Sequence, residues 1–210
     1  MLTLKEAVWV LASYCLGCFT AGYYWVRLRT GQDIRQQGSG TVGARNAGRV
    51  LGPAGFMATF LLDFSKGALA VAGARYLDLG GGAVVACILA VVLGHAFPVQ
   101  LRFHGGKGVA VSLGALLVYD PEIIAILLGV FLPAFVLFRN FSLAGLLAFA
   151  LSPLAVFFWG MGKGPVAAMC LLAVLVLLLH RRDIREEYAR VFSRGVLKNV
   201  SAHKRRGTGP

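Results

Sequence analysis

The sequence predicts an all-α integral membrane protein with seven transmembrane helices, its amino terminus outside and its carboxyl terminus in the cytoplasm. Three observations lead there. Hydrophobic residues make up 58% of the 210-residue chain and charged residues only 14%, too oily a balance for one water-facing domain around a core. Apolar runs recur at close to the roughly 20 residues that a helix needs to cross a bilayer. The net charge of +12 gathers between those runs and in the tail, where cytoplasmic flanks collect Lys and Arg. That placement makes the charge a topology signal, and no nucleic-acid partner is expected.

The first run, Ala7 to Val26, is longer than a signal-peptide core and lacks a strongly basic front; Arg27 and Arg29 follow it. It is expected to stay as a spanning helix. Further spans are expected at Gly52 to Ala74, Leu79 to Leu101, Gly108 to Tyr119, Ile123 to Phe138, Phe141 to Trp159 and Pro165 to His180. The fourth is short for a crossing and is retained on parity. Arg27, Arg29, Arg35, Arg45 and Arg49 make the first loop basic, the tail is basic too, and an even number of crossings must separate two cytoplasmic segments. The turn carrying Asp120 and Glu122 then faces out. A short fourth helix also implies that the loop before it dips below the membrane surface, which requires protein or a polar cavity to satisfy its backbone.

Residues 1–180 are expected to form one transmembrane domain whose basic, glycine-rich loops gather at the cytoplasmic face, and 181–210 a basic tail in contact with anionic lipid. Cys15, Cys18, Cys87 and Cys170 all lie inside apolar runs and read as reduced packing residues. No metal or other cofactor is expected, because no Asp, Glu, His or Cys cluster has ligand spacing.

Two loops on the predicted cytoplasmic face carry the chemistry. "RFHGGKGVAV", residues 102–111, is not a Walker A motif, since no GxxxxGK[ST] spacing fits it. Its glycines, Gly105, Gly106 and Gly108, would let backbone N–H groups converge on an anion beside Lys107, with a helix N-terminus following. The plainer alternative is a tight turn with an interfacial lysine. "QQGSGTVGARNAGRVLG", residues 36–52, is a second basic, glycine-rich stretch. Ser39 and Thr41 offer hydroxyls, Arg45 and Arg49 can fork onto phosphate, and Gly38, Gly40 and Gly43 permit close backbone approach. Capping and topology are the competing roles there. In "LLLHRRDIREE", His180 ends the last apolar run, where an imidazole can hold or accept a proton near neutral pH. Asp183 stands three residues on, on the same face if the helix continues. In the second span, Asp63 and Lys66 are costly at membrane depth and read equally as a structural pair or a functional one. His95 and Pro98 are expected to shape the end of the third span.

Together these blocks resemble the bacterial membrane-integral acyl-phosphate:glycerol-3-phosphate acyltransferases. "GSGTVGARNAGRVLG", "GHAFPVQLRFHGGKGVAV" and "HRRDI" are similar to the family's three signatures, and "DFSKGALAV" to its second span. The resemblance implies acyl transfer from acyl phosphate to the 1-hydroxyl of glycerol 3-phosphate in a bacterial cytoplasmic membrane, giving lysophosphatidic acid and phosphate without coenzyme A. An acyl-phosphate-generating enzyme is a potential partner. Ser39, Arg49, Lys107 and His180 match positions tied to catalysis. Gly38, Gly40, Thr41, Gly43, Arg45, Asn46, Gly105, Gly106, Gly108 and Asp183 fall in the substrate- and phosphate-binding set. No HxxxxD spacing follows His95, His104, His180 or His203, which removes support from a coenzyme A-dependent reading.

The chain departs from the family's pattern at Thr41, Arg45, Val111 and Asp183, where Asn, Thr, Thr and Asn are usual. A carboxylate at Asp183 would repel phosphate unless paired, so an Arg45–Asp183 ion pair is expected. Without it, a different acceptor becomes the alternative. A transporter of phosphorylated solutes is a further reading, disfavoured because the polar blocks cluster at one face and no internal repeat is visible.

Overall fold

The computed structural model describes residues 2–185, which fall into two units dividing between Leu177 and Leu178. The described residues form α-helices and short 3-10 turns, with no strand. In order they are α1 (Leu4–Cys18), α2 (Ala21–Thr30), α3 (Ala44–Tyr76), α4 (Gly81–Ala96), α5 (Val109–Tyr119), α6 (Pro121–Phe138), α7 (Phe141–Phe158) and α8 (Lys163–Leu179). Among the described residues, five segments are long and apolar enough to cross a membrane: Leu4–Thr30, Ala44–Tyr76, Gly81–Leu101, Pro121–Phe138 and Phe141–Phe158. Val109–Tyr119 and Lys163–Leu179 are apolar but shorter. Of the expected tail, 186–210 lies outside the described residues.

Helix ends follow from local chemistry. Thr3 and Glu6 cap α1 reciprocally, satisfying amides that the first turn leaves without partners. Asp120 caps α6 ahead of Pro121, whose missing N–H costs nothing at that position. The Asn140 side chain accepts from the Leu143 amide at the start of α7.

Two expected spans differ in detail. The first is not one helix but α1 and α2, broken at Phe19 and Thr20. The break persists because its carbonyls have side-chain donors: Lys66 Nζ bonds the Gly17 and Phe19 oxygens at 3.1 and 2.6 Å, and Gln100 Nε2 bonds that of Cys18. The second begins earlier than expected, at Ala44, and bends at Gly52, whose φ of 72° and ψ of −166° only glycine adopts readily. Pro53 follows, so 44–51 forms a separate short helix leading into the span.

Within the first unit α1 packs along α4, α3 along α5, and α6 along α7. Two of these seams close on bare backbone. Gly17 and Gly94 let α1 and α4 meet, and Gly67 and Gly114 do the same for α3 and α5; a Cβ at any of them would overlap a carbonyl of the facing helix. Such small-residue contacts are how helices associate in lipid, where burial of apolar side chains supplies little drive. The outer faces of α6 and α7 expose Leu132, Val136, Leu137, Leu154, Phe157 and Phe158, surface that suits a hydrocarbon surround.

Candidate active site

The first loop folds around the side chain of Asn46, which is fully buried. Its Nδ2 donates to the carbonyls of Ile34, Gln37 and Thr41 at 3.2, 2.9 and 2.9 Å, and its Oδ1 accepts the Ser39 amide at 2.9 Å. The amide of Asn46 therefore holds the loop, and its polar atoms face backbone. Gly38 and Gly40 take positive φ values of 55° and 70°, which let the chain turn over that amide. Ser39 and Thr41 emerge with their hydroxyls 3.1 Å apart. Ser39 is exposed, and Arg49, also exposed, runs past Gly38 on the first turns of α3. A small core of Val26, Ile34, Val42, Ala47 and Leu101 supports the loop from beneath.

Arg35 and Asp33 form a clasp that the sequence reading did not single out. The guanidinium forks onto the Asp33 carboxylate, at 3.0 Å from Nε to Oδ1 and 2.6 Å from the terminal nitrogen to Oδ2, and donates to the Leu101 carbonyl at 3.0 Å. That bond holds Asp33 below the usual carboxylate range. It also ties the first loop to the segment running into Lys107. The available signal was the i, i+2 spacing of an Asp and an Arg at a short helical turn.

In the second loop the expectation of glycine amides turned to an anion fails at two positions. The Gly105 and Gly106 N–H groups bond to the carbonyls of Ala96 and His95, each at 3.0 Å. These glycines are there for close approach: a Cβ on Gly105 would overlap the His95 carbonyl, and one on Gly106 the His95 imidazole. Lys107 is half-buried, and Gly108, at φ 78°, turns the chain into α5. The amides left to favour an anion are those opening α5, where the helix dipole adds to the charge of Lys107.

Arg45 donates to Ser142 Oγ and lies over the Phe141 ring at 5.8 Å, linking the first loop to the start of α7. His180 and Asp183 belong to the second unit. His180 is buried, and residues 181–185 continue as helix, with the Ile184 amide bonded to the His180 carbonyl at 3.0 Å.

Residues 7–190 match the family described as Glycerol-3-phosphate acyltransferase. This chain belongs to that family. Glycerol-3-phosphate acyltransferase 1 of Desulfitobacterium hafniense (strain Y51) is 44% identical over 177 residues, covering 84% of this chain and 88% of the relative. Its namesake in Bacillus cereus (strain ATCC 14579) is 36% identical over 181 residues, covering 86% and 100%. Among solved structures, PlsY (YgiH), an integral membrane glycerol 3-phosphate acyltransferase, superposes in its glycerol 3-phosphate form with a TM-score of 0.81 at 33% identity, covering 88% of this chain and 92% of the other. Its lysophosphatidic acid form gives 0.78 at 31%. The acyltransferase family, with its multi-pass helical fold, is where the three glycine, lysine and histidine blocks belong, and the transporter alternative falls with that assignment.

Proposed function

We propose that this acyltransferase takes its acyl group from an acyl phosphate and delivers it to the 1-hydroxyl of glycerol 3-phosphate, forming lysophosphatidic acid. Family membership over residues 7–190, with Ser39, Arg49, Lys107 and His180 all inside the match, is the observation that carries the reading. The reaction takes place at the cytoplasmic face of a bacterial cytoplasmic membrane crossed seven times, with the amino terminus outside.

An acyl phosphate is a mixed anhydride with a good leaving group, so positioning and anion stabilisation suffice and no covalent nucleophile is required. The glycerol hydroxyl adds to the carbonyl carbon, the bond from that carbon to the phosphate oxygen breaks, and inorganic phosphate leaves. The hydroxyl proton passes to a phosphate oxygen or to His180. Arg49 and Lys107 neutralise the phosphate and the oxyanion, and Ser39 with Thr41 donates hydroxyl bonds.

The test is phosphate release by purified protein supplied with palmitoyl phosphate, with and without glycerol 3-phosphate, beside a Lys107→Ala control. Release that needs the acceptor and Lys107 and yields lysophosphatidic acid supports the reading. Release indifferent to glycerol 3-phosphate, or none, overturns it and points to a changed acceptor.

A further inference from the structure

Three ionisable side chains meet in the protein interior beneath the lysine loop. Asp63 and Lys66 of α3 and His95 of α4 are 1%, 3% and 3% exposed. Lys66 Nζ stands 2.9 Å from Asp63 Oδ1 and 2.9 Å from His95 Nδ1, and the same ammonium bonds the Gly17 and Phe19 carbonyls at the break in the first span. Charged groups at such depth are costly and well-packed apolar residues would serve stability as well. Their position supplies a reason for them.

With Lys66 as the donor, His95 Nδ1 accepts, and the ring proton sits on Nε2. That edge backs directly onto Gly106, where a Cβ would overlap it, while the His95 carbonyl accepts the Gly106 amide at 3.0 Å. A continuous path of contacts thus runs from Asp63 through Lys66 and His95 to Gly106, the residue before Lys107.

We propose that Asp63, Lys66 and His95 are positioning residues: a buried polar strut that fixes the height of the Gly105–Gly106–Lys107 backbone and so sets the site's grip on phosphate. The proposal rests on the reading that this loop holds a substrate phosphate. None of the three touches substrate. They act through Gly106, and the strut also joins the loop to the break between α1 and α2.

The decisive variant is His95→Asn. Its amide oxygen can take the Nδ1 position and keep the Lys66 bond, while the imidazole edge behind Gly106 disappears. Calorimetric binding of inorganic phosphate and of glycerol 3-phosphate to the full chain in detergent is measured beside thermal unfolding and the KM and kcat of both substrates. The strut predicts an unfolding temperature close to that of the native protein, with phosphate affinity lowered on the order of tenfold. Gly106→Ala should abolish binding in the native background and regain part of it together with His95→Asn. A folded His95→Asn protein with native phosphate affinity and KM values, or strictly additive losses in the double variant, overturns the proposal. Native protein that binds phosphate without transferring acyl groups counts against the acyl-transfer reading alone, and the affinities still decide the strut. Native protein that binds no phosphate overturns both.

Discussion

Asn46 organises the first loop through one side chain serving four backbone groups, and its chemistry can be separated from the loop's by choice of substitution. Asn46→Ala leaves three carbonyls and one amide without their partner, at about 3 kcal/mol of stability. Asn46→Asp is nearly isosteric but turns a carboxylate onto the carbonyls of Ile34, Gln37 and Thr41, where the native nitrogen donates. Thermal unfolding in detergent should therefore rank Asn46→Asp below Asn46→Ala, and both should lose activity because Ser39 and Thr41 lose their support. Ser39→Ala, at an exposed position, should lose activity with little change in unfolding temperature. If Asn46→Asp were as stable as the native protein, the amide would not be holding the loop. The sequence showed that Asn46 stands among phosphate-type residues but not which way its amide turns. That depends on carbonyls five to twelve residues away brought round by two positive-φ glycines.

Helix positions were legible from apolar runs and charges, although α6 starts at Pro121, two residues before the expected span, because the Asp120 side chain caps it. The two irregularities in the helices were not legible, for different reasons. The break at Phe19 and Thr20 has no proline and depends on donors from far along the chain, Lys66 and Gln100, so no local pattern announces it. The bend at Gly52 is locally coded by Gly-Pro, yet the same pair reads equally as a plain helix start. The bend sets the direction in which 44–51 carries Arg45 and Arg49. A Cβ at Gly52 meets no neighbouring atom, so Gly52→Ala isolates the backbone term, a penalty of about 1–3 kcal/mol. Relief by straightening would swing Arg49 away from Gly38. Activity should then fall well beyond what the loss in unfolding temperature accounts for, and a native-like rate in Gly52→Ala would show that the bend does not place Arg49.

The whole chain's path through the membrane turns on α5. At 11 residues and about 1.5 Å per residue it spans roughly 16 Å, about half of a hydrocarbon core near 30 Å. If α5 completes a crossing, the loop of 102–108 lies below the membrane surface, which fits backbone amides of Gly105 and Gly106 that are bonded to protein. A submerged loop also puts Lys107 at a depth where acyl chains and water-soluble phosphates can both reach it. If α5 does not cross, the loop and the Asp120–Glu122 turn share one side and the parity argument from the basic segments collapses. Single cysteines decide between these in a background with Cys15, Cys18, Cys87 and Cys170 replaced. With a membrane-impermeant maleimide on intact cells, Glu122→Cys should label, whereas Gln36→Cys and His104→Cys should label only after permeabilisation. Labelling of His104→Cys and Glu122→Cys from the same side would remove α5 from the crossings. Labelling of Gln36→Cys and His104→Cys alone from outside would invert the orientation and move the site away from the cytoplasmic supply of glycerol 3-phosphate.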